Sequence, residues 1–376
     1  MRRWLSRGPL IGVVVPVYGV ERYLDECLRS LVAQQHRRWE AVLVDDGSTD
    51  RSGEIAEAWA RRDHRISVVH QANAGLGAAR NAGLAHVRGD YLAFLDSDDL
   101  LQPSAFSTLV ASLEESGSDF ATGSILQWRS EDDSAVDDPF REPPWMRRLH
   151  HPPAQGLRVE DRPEILGDVF AWNKLFRRSW WDAAGLAWPE GVRYEDQPTT
   201  TRAFLDGRFD VLAETTYVWR IREGSITQTR ATVQDLADRW ETKRMALAAV
   251  RAHGDAEVER VFVDRVLAGD LWRYFLLVPG CTPEWWRLLR SGVLEIWGTR
   301  LVESGLPPVH RLAGWLVAED RRADVTALME WVGGLDGPAP RAQDIGTGAW
   351  RLSIPPSVLD ETTVAPEALR LRDHEV

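Results

Sequence analysis

The feature that most constrains the fold is an alternation over the first hundred residues. Apolar, β-rich runs, "LIGVVVPV", "EAVLVDD", "ISVVHQ" and "YLAFLDSDD", are separated by stretches with helical spacing at about 23–35, 52–62 and 76–87. Strands alternating with helices of that length predict a parallel sheet covered on both faces. In such sheets ligands sit at the carboxyl ends of the strands. Polar clusters fall at those ends, at 16–21, 45–50, 71–77 and 96–99.

Residues 103–128 continue with a helix and the strand "DFATGSILQW", and the charged, Pro-rich stretch 129–153 reads as an irregular excursion. Order returns with "VFAWNKLFRRSWWDAAG", then "VRYEDQPTTTRAFL" as a turn into a helix and "ETTYVWRIREGSIT" as a late strand. After Val233 the pattern is mostly helical to about Val332, and from Gly333 it is rich in Gly, Pro and Ala with one short strand candidate, "AWRLSI". The expected division is a catalytic domain over 1–230, a helical region over 231–335 and an irregular tail over 336–376.

At 376 residues the chain exceeds one ordinary compact domain. A formal charge of −12 argues against a nucleic-acid partner, because phosphate neutralisation needs a basic face. Cys27 and Cys281 match neither a zinc pattern nor a disulfide framework, which favours a reducing, cytoplasmic setting. The N-terminus imitates a signal peptide, with Arg2, Arg3 and Arg7 ahead of an apolar run. Pro16 interrupts that run and no small-residue cleavage site follows, so residues 10–17 read as a buried first strand. No window offers 18 uninterrupted apolar residues, so any membrane contact is expected to be peripheral. Most of the 18 Trp are expected to fill core and interfaces, with an exposed few suited to stacking on sugar rings.

"DSDD" admits several readings. A solvated turn is one. An EF-hand loop fails, because Leu100 and Leu101 stand where an oxygen ligand and a Gly are required. A dinucleotide-binding loop also fails, because "GLGAAR" puts Arg80 at the third Gly position. A hard-cation site survives: carboxylates at i and i+2 share one side of an extended chain, so Asp96 and Asp98 point together and Ser97 points away. Mn²⁺ or Mg²⁺ held by one or two carboxylates completes its shell with phosphate oxygens and water, which implies a phosphorylated substrate. In "VLVDDGSTD", Asp45 and Asp46 either accept from a base edge or cap the next helix. In "HQANAGLGAARNAG", a Gly-rich turn opens a helix whose N–H groups favour anions, with Arg80 adding positive charge.

Together these motifs resemble the family-2 glycosyltransferases, inverting nucleotide-sugar transferases of the GT-A fold. "VVVPVYGVERYLDECLRSLVAQ", "VLVDDGSTDRS", "HQANAGLGAARNAGL" and "GDYLAFLDSDD" are similar to that family's motifs in order and spacing, over roughly the first 125 residues. The resemblance implies an α/β GT-A domain with a mainly parallel central sheet, followed by a mostly helical C-terminal region. It implies that Pro16, Tyr18 and Glu21 line the nucleoside pocket, that Asp46 contacts uracil or another base, and that Asn73, Arg80 and Ser97 approach the nucleotide and diphosphate. Asp96 and Asp98 correspond to the metal-holding D-x-D pair.

A second stretch, "WNKLFRRSWW", "GVRYEDQPTTTRAFL" and "YVWRIREGSIT", resembles non-processive members that build bacterial cell-wall, capsular and teichoic-acid polymers. There the acids matching Glu195 and Asp196 supply the catalytic base, while a plain helix N-cap is the structural alternative for Asp196. Arg220, Arg222 and Ser225 are expected to help with the leaving diphosphate. The implied partners are a UDP-sugar donor and a glycan or polyol-phosphate acceptor, the latter suited to the local basic set Arg141, Arg147, Arg148, His150 and His151. The implied place is the cytoplasm or the inner face of the membrane. The helical region is left to bind acceptor, form a homo-oligomer or connect to another module. Two rival readings are a sugar nucleotidyltransferase, which "PVYGVERYL" does not suit, and a non-catalytic scaffold subunit, against which the intact acids speak.

Overall fold

The computed structural model describes residues 8–129, 139–221, 231–344 and 348–376. The chain divides into two compact units, one drawn from Met1–Ile226 with Thr242–Asp255 and the other from Thr227–Glu241 with Ala256–Val376.

The first unit is a ten-stranded mixed sheet with helices. In chain order its elements are β1 (Ile11–Val17), α1 (Leu24–Val32), β2 (Trp39–Asp45), α2 (Ser52–Arg62), β3 (Ile66–His70), α3 (Leu76–Leu84), β4 (Tyr91–Phe94), β5 (Leu100–Leu101), α4 (Ala105–Ser116), β6 (Phe120–Arg129), β7 (Phe140–Arg141), α5 (Pro144–His150), β8 (Ala154–Leu157), β9 (Lys174–Arg177), α6 (Arg178–Ala183), α7 (Asp196–Asp206) and β10 (Phe209–Ile221). The helix α8 (Val233–His253) follows and contributes residues to each unit.

The strand order is β3-β2-β1-β4-β9-β6-β10-β5, with β7 on β6 and β8 on β10. The first four strands pair in parallel, as their unbroken apolar runs predict. Beyond β4 the pairing reverses, because β9 runs antiparallel to both β4 and β6, while β6 and β10 are again parallel. This mixed α/β architecture with a central sheet is the expected fold class.

Every residue of β1 is buried, including Pro16. Its even-numbered positions face β4, where Leu95 N–H donates to Val14 O. Since β4 ends at Phe94, Pro16 stands where its missing N–H removes little of the ladder.

One expectation is corrected. The excursion at 129–153 is partly ordered: residues 130–138 lie outside the described set, but β7 and α5 follow, with Pro143 and Pro144 at the start of the helix. Met146 and His150 are wholly buried, so His150 leaves the set of surface bases, while Arg141, Arg147, Arg148 and His151 are exposed.

The second unit is helical, with α9 (Ala256–Val261), α10 (Trp272–Phe275), α11 (Pro283–Ile296), α12 (Pro308–Ala318) and α13 (Arg322–Gly333), then a hairpin of β11 (Arg341–Gln343) and β12 (Trp350–Leu352). Trp240, Trp285, Trp286, Trp297 and Trp315 are core residues, as most Trp were expected to be, whereas Trp350 is exposed. Among the described residues no helix is long and apolar enough to cross a membrane.

α3 lies close against β1 and β2. A Cβ at Gly83 would stand 2.4 Å from Val14 Cγ1 and 3.1 Å from Val44 Cγ2. Overpacking of this kind costs about 1–3 kcal/mol, more than the roughly 1 kcal/mol of helix propensity that Ala gains over Gly. Gly83→Ala is therefore expected to lower the urea midpoint at unchanged m-value, and an unchanged midpoint would show that the helix can move outward freely.

Candidate active site

The turn after β4 is fastened from within. Tyr217 on β10 is wholly buried and stacks on Trp172, with ring centroids 4.1 Å apart. Its hydroxyl accepts from Asp96 N–H at 3.2 Å and donates to Asp99 Oδ2 at 3.0 Å. Asp99 Oδ1 accepts from Arg220 N–H at 2.7 Å, and Asp98 O accepts from Arg220 Nε at 2.8 Å. Burial, then the neighbouring Asp98 and Asp96, push the Asp99 carboxyl well above its ordinary range. Ser97 and Asp99 are buried while Asp96 and Asp98 are partly exposed; the chain here is a turn, closed by Asp99 N–H donating to Asp96 O at 3.1 Å, and not the extended segment expected.

Asp96 belongs to a larger cluster. The Arg80 side chain is fully buried, donating through Nη2 to Asp96 Oδ1 at 2.9 Å and through Nη1 to Glu195 Oε1 at 2.6 Å and to Asp196 Oδ1. Its guanidinium also lies 5.0 Å from the centre of the Trp188 ring. One cation facing three carboxylates leaves an excess of negative charge. Burial, with Asp196 next, pushes Glu195 up to about 8, and burial against the pull of Arg80 pushes Asp96 up to about 6.

The acids at the start of α7 are placed by strained and tightly packed chain. Tyr194 has φ 63°, a left-handed conformation uncommon for a bulky residue. Glu195 occupies the N-cap position without a side-chain cap, and the Asp196 carboxylate is turned to Arg80 instead. The simple N-cap alternative for Asp196 therefore does not describe its side chain. Asn81, next to Arg80, donates to Trp188 O and to Glu190 Oε1, both at 2.8 Å, so α3 holds the segment leading to the acids at two consecutive residues.

The other strand ends lie on the same sheet edge. Asp46 is buried, and its oxygens accept from Gln71 Nε2 at 2.7 Å and from the N–H groups of Ala74 and Gly75 at 2.9 Å. It thus anchors the loop carrying the exposed Asn73; the first N–H groups of α2 go instead to Glu21 and Asp50. Gly47, at φ 72°, permits the close passage of that loop, since a Cβ there would meet Asn73 N at 2.9 Å. Glu21 is exposed, Pro16 is buried, and Tyr18 presents more than half its surface. Arg220 is sandwiched, its guanidinium 4.0 Å from the centre of the Trp128 ring and 5.1 Å from that of Tyr23, and donates to Glu26 Oε2 at 2.7 Å. Arg222 and Ser225 lie outside the described residues.

The cluster thus joins Arg80, Asp96, Glu195 and Asp196, with Asp98 two residues along the turn. Tyr217, Trp188 and the buried Lys174 and Asp168 escaped sequence reading. Lys174 alone left a trace, as a lone charge in the aromatic run "FAWNKLF". A surface groove of about 940 Å³ along α2, lined also by Asp25 and His70, holds none of these acids, and the chemistry, not the hollow, locates the site.

A sheet whose carboxyl edge presents an acidic turn and an acid-bearing helix start defines the class of nucleotide-sugar transferase folds. Among solved structures, S. aureus TarS 1-349 in complex with UDP-GlcNAc superposes with a TM-score of 0.68 over 91% of this chain and 96% of that one, at 22% identity, a likeness of fold. Residues 12–183 match the family model for Glycosyl transferase family 2. Glycosyltransferase GlyG of Streptococcus pneumoniae is 30% identical over 227 residues, 58% of this chain and 73% of GlyG. The uncharacterized glycosyltransferase EpsJ of Bacillus subtilis is 35% identical over 233 residues, again 58% of this chain, which spans 63% of EpsJ's length. The chain belongs to glycosyl transferase family 2.

The shifted Glu195 gives a stability signature. Its folded-state pKa, about 8, stands above the ordinary 4.5, so the stability it contributes is full below about 4.5 and lost as pH rises through about 8. The melting temperature is expected to fall over that window, and Glu195→Gln, which cannot ionise, is expected to flatten the fall. Equal slopes for both proteins in scanning calorimetry would count against a buried, neutral Glu195.

Proposed function

We propose that this chain transfers a sugar, with inversion, from a UDP-sugar to a hydroxyl of a cell-envelope glycan or polyol-phosphate acceptor. The observation that carries the reading is the span of Arg80, which draws the D-x-D turn and the Glu195–Asp196 pair to one guanidinium. Inverting displacement needs a site for the departing diphosphate and a base for the incoming hydroxyl on either side of one carbon, and these two acid groups supply that pair. The UDP-GlcNAc held by TarS supports a uridine nucleotide donor.

Asp96 and Asp98 fit a partial shell for Mn²⁺ or Mg²⁺. Among the described residues no group of three or more His, Cys, Asp or Glu comes together to hold an ion, so substrate phosphate and water would have to complete its shell. Bound there, the ion would supply positive charge for the leaving diphosphate. The protein's own residues do the rest. Asp196, whose side chain is 19% exposed against 5% for Glu195, is the acid an acceptor hydroxyl can reach, and it takes the proton. Glu195 and Arg80 orient it.

Tyr18 and Glu21 after β1 and Asn73 after β3, exposed on either side of the end of β2, serve the nucleoside, with the buried Pro16 in β1 and Asp46 shaping the loop beside the base. Ser97 supports the turn, and Arg220 stands by the diphosphate with Arg222 and Ser225 proposed to follow it. The half-buried Trp145, Phe170 and Trp219 form an apolar wall suited to a sugar ring of the acceptor. Both cysteines are free, in keeping with a cytoplasmic nucleotide-sugar enzyme.

Asp196→Asn is expected to leave UDP-sugar binding within about twofold in calorimetry while transfer, read as UDP release, falls at least about 10²-fold. Retained transfer would remove Asp196 from its role. Asp98→Ala is expected to abolish the Mn²⁺ dependence of donor binding; if the wild type binds UDP-sugars equally well with and without Mn²⁺, the metal assignment fails.

A further inference from the structure

Behind the acid pair lies a second buried charge cluster. Lys174, Asp168 and His150 are all within 1% of complete burial. Lys174 Nζ stands 2.9 Å from Asp168 Oδ1 and donates to Asp168 O at 2.9 Å, Phe170 O at 2.7 Å and Asn173 Oδ1 at 3.0 Å. Asp168 Oδ2 accepts from Thr122 Oγ1 at 2.6 Å, Asn173 Nδ2 at 3.1 Å and His150 Nε2 at 3.2 Å, while His150 Nδ1 meets Leu212 O at 2.8 Å. Burial pushes the Lys174 ammonium down against the pull of Asp168. Lys174 and His150 in turn outweigh burial at Asp168 and hold its carboxyl well below the usual range.

A buried ion pair is a poor device for stability alone, since well-packed apolar residues often do as well. What this one does is wrap the chain from 168 to 173 around a single ammonium. That loop touches the start of α7 twice. Ala171 N–H faces Asp196 Oδ2 at 3.4 Å, and Val169 O accepts from Thr200 Oγ1 at 3.2 Å, a hydroxyl that also reaches Asp196 O at 2.8 Å. On either side of Ala171, Phe170 and Trp172 stack at 4.6 Å, and Trp172 rests on Tyr217, which fastens the D-x-D turn. One loop therefore borders the proposed base and supports the proposed metal turn.

We infer that Lys174, paired with Asp168, which His150 also holds, is a positioning residue for transfer: it sets the 168–173 loop and, through Ala171 and Thr200, the carboxylate of Asp196. This rests on the role proposed for Asp196. The test is the paired variant Asp168→Asn/Lys174→Met, which removes both charges of the pair while the amide at 168 still offers His150 a hydrogen-bond acceptor. Amide exchange is expected to rise in 168–173 and the first turn of α7 only, with UDP-GlcNAc KM within about twofold and kcat down roughly 10²-fold, the scale of a misplaced catalytic group. Exchange rising evenly across β6 and β9, or a folded variant with wild-type kcat, would overturn the inference. Should the pair not fold, Thr200→Val removes one of the loop's two contacts with α7 without touching a charge; reduced kcat at unchanged KM supports the inference and wild-type kcat overturns it. Asp196→Asn run alongside separates the two ideas. If it retains transfer, the base assignment fails, and the exchange pattern still decides whether Lys174 holds the loop.

Discussion

The site depends on one buried guanidinium. Arg80 faces carboxylates from two distant parts of the chain, 16 residues away at Asp96 and 115 and 116 away at Glu195 and Asp196. Deleting such a cation leaves buried charge uncompensated, which typically costs 3–5 kcal/mol, so the acids and the arginine stand or fall together. Yet a single positive charge does not balance three acids. Burial first, and then the neighbouring acids, raise Glu195 to about 8 and Asp96 to about 6. A divalent cation arriving with a diphosphate would relieve the same shortfall from the open side, so the cluster suits a site that gains its missing charge only with substrate.

The scaffold places Arg80 by close approach of backbones. A Cβ at Gly77 would meet Pro189 O at 2.0 Å, and one at Gly83 would enter Val14, so α3 is fitted both to the segment before Glu195 and to the central strand. Between these contacts Arg80 and Asn81 project toward 188–196. Small residues in "GLGAARNAGL" thus do structural work that an anion-binding loop would share. The Gly-rich pattern alone does not separate the two uses.

Strands β1, β2 and β4 were legible because parallel strands, buried on both faces, read as unbroken apolar runs, and their polar ends marked one edge of the sheet. Asp96 and Asp98 were singled out by treating 96–98 as extended chain, whereas the segment is a hydrogen-bonded turn. What was hidden depends on contacts far apart in sequence: the reversed β9, and Tyr217, which joins Asp96 and Asp99 from about 120 residues away. No local period records such a partner. The 129–153 stretch misled for a different reason. Its prolines and charges resemble a loop, yet Pro143 and Pro144 start α5, and His150 is drawn inside by a carboxylate and a carbonyl that only the folded chain supplies.

Asp99 shows how the turn divides its acids. With three carboxylates in four residues, mutual repulsion favours turning one inward only if the interior can satisfy it, and Tyr217 hydroxyl with Arg220 N–H does so. The inward acid then works as a peg between β10 and the turn. Burial and the neighbouring Asp98 and Asp96 raise its pKa, against the hydrogen bonds from Arg220 N–H and the Tyr217 hydroxyl. Asp96 and Asp98 remain on the partly open side, separated by one residue and backed by a fixed turn. A preference for a hard cation and a diphosphate, as proposed for this site, would follow less from the number of acids than from which of them the core has already claimed.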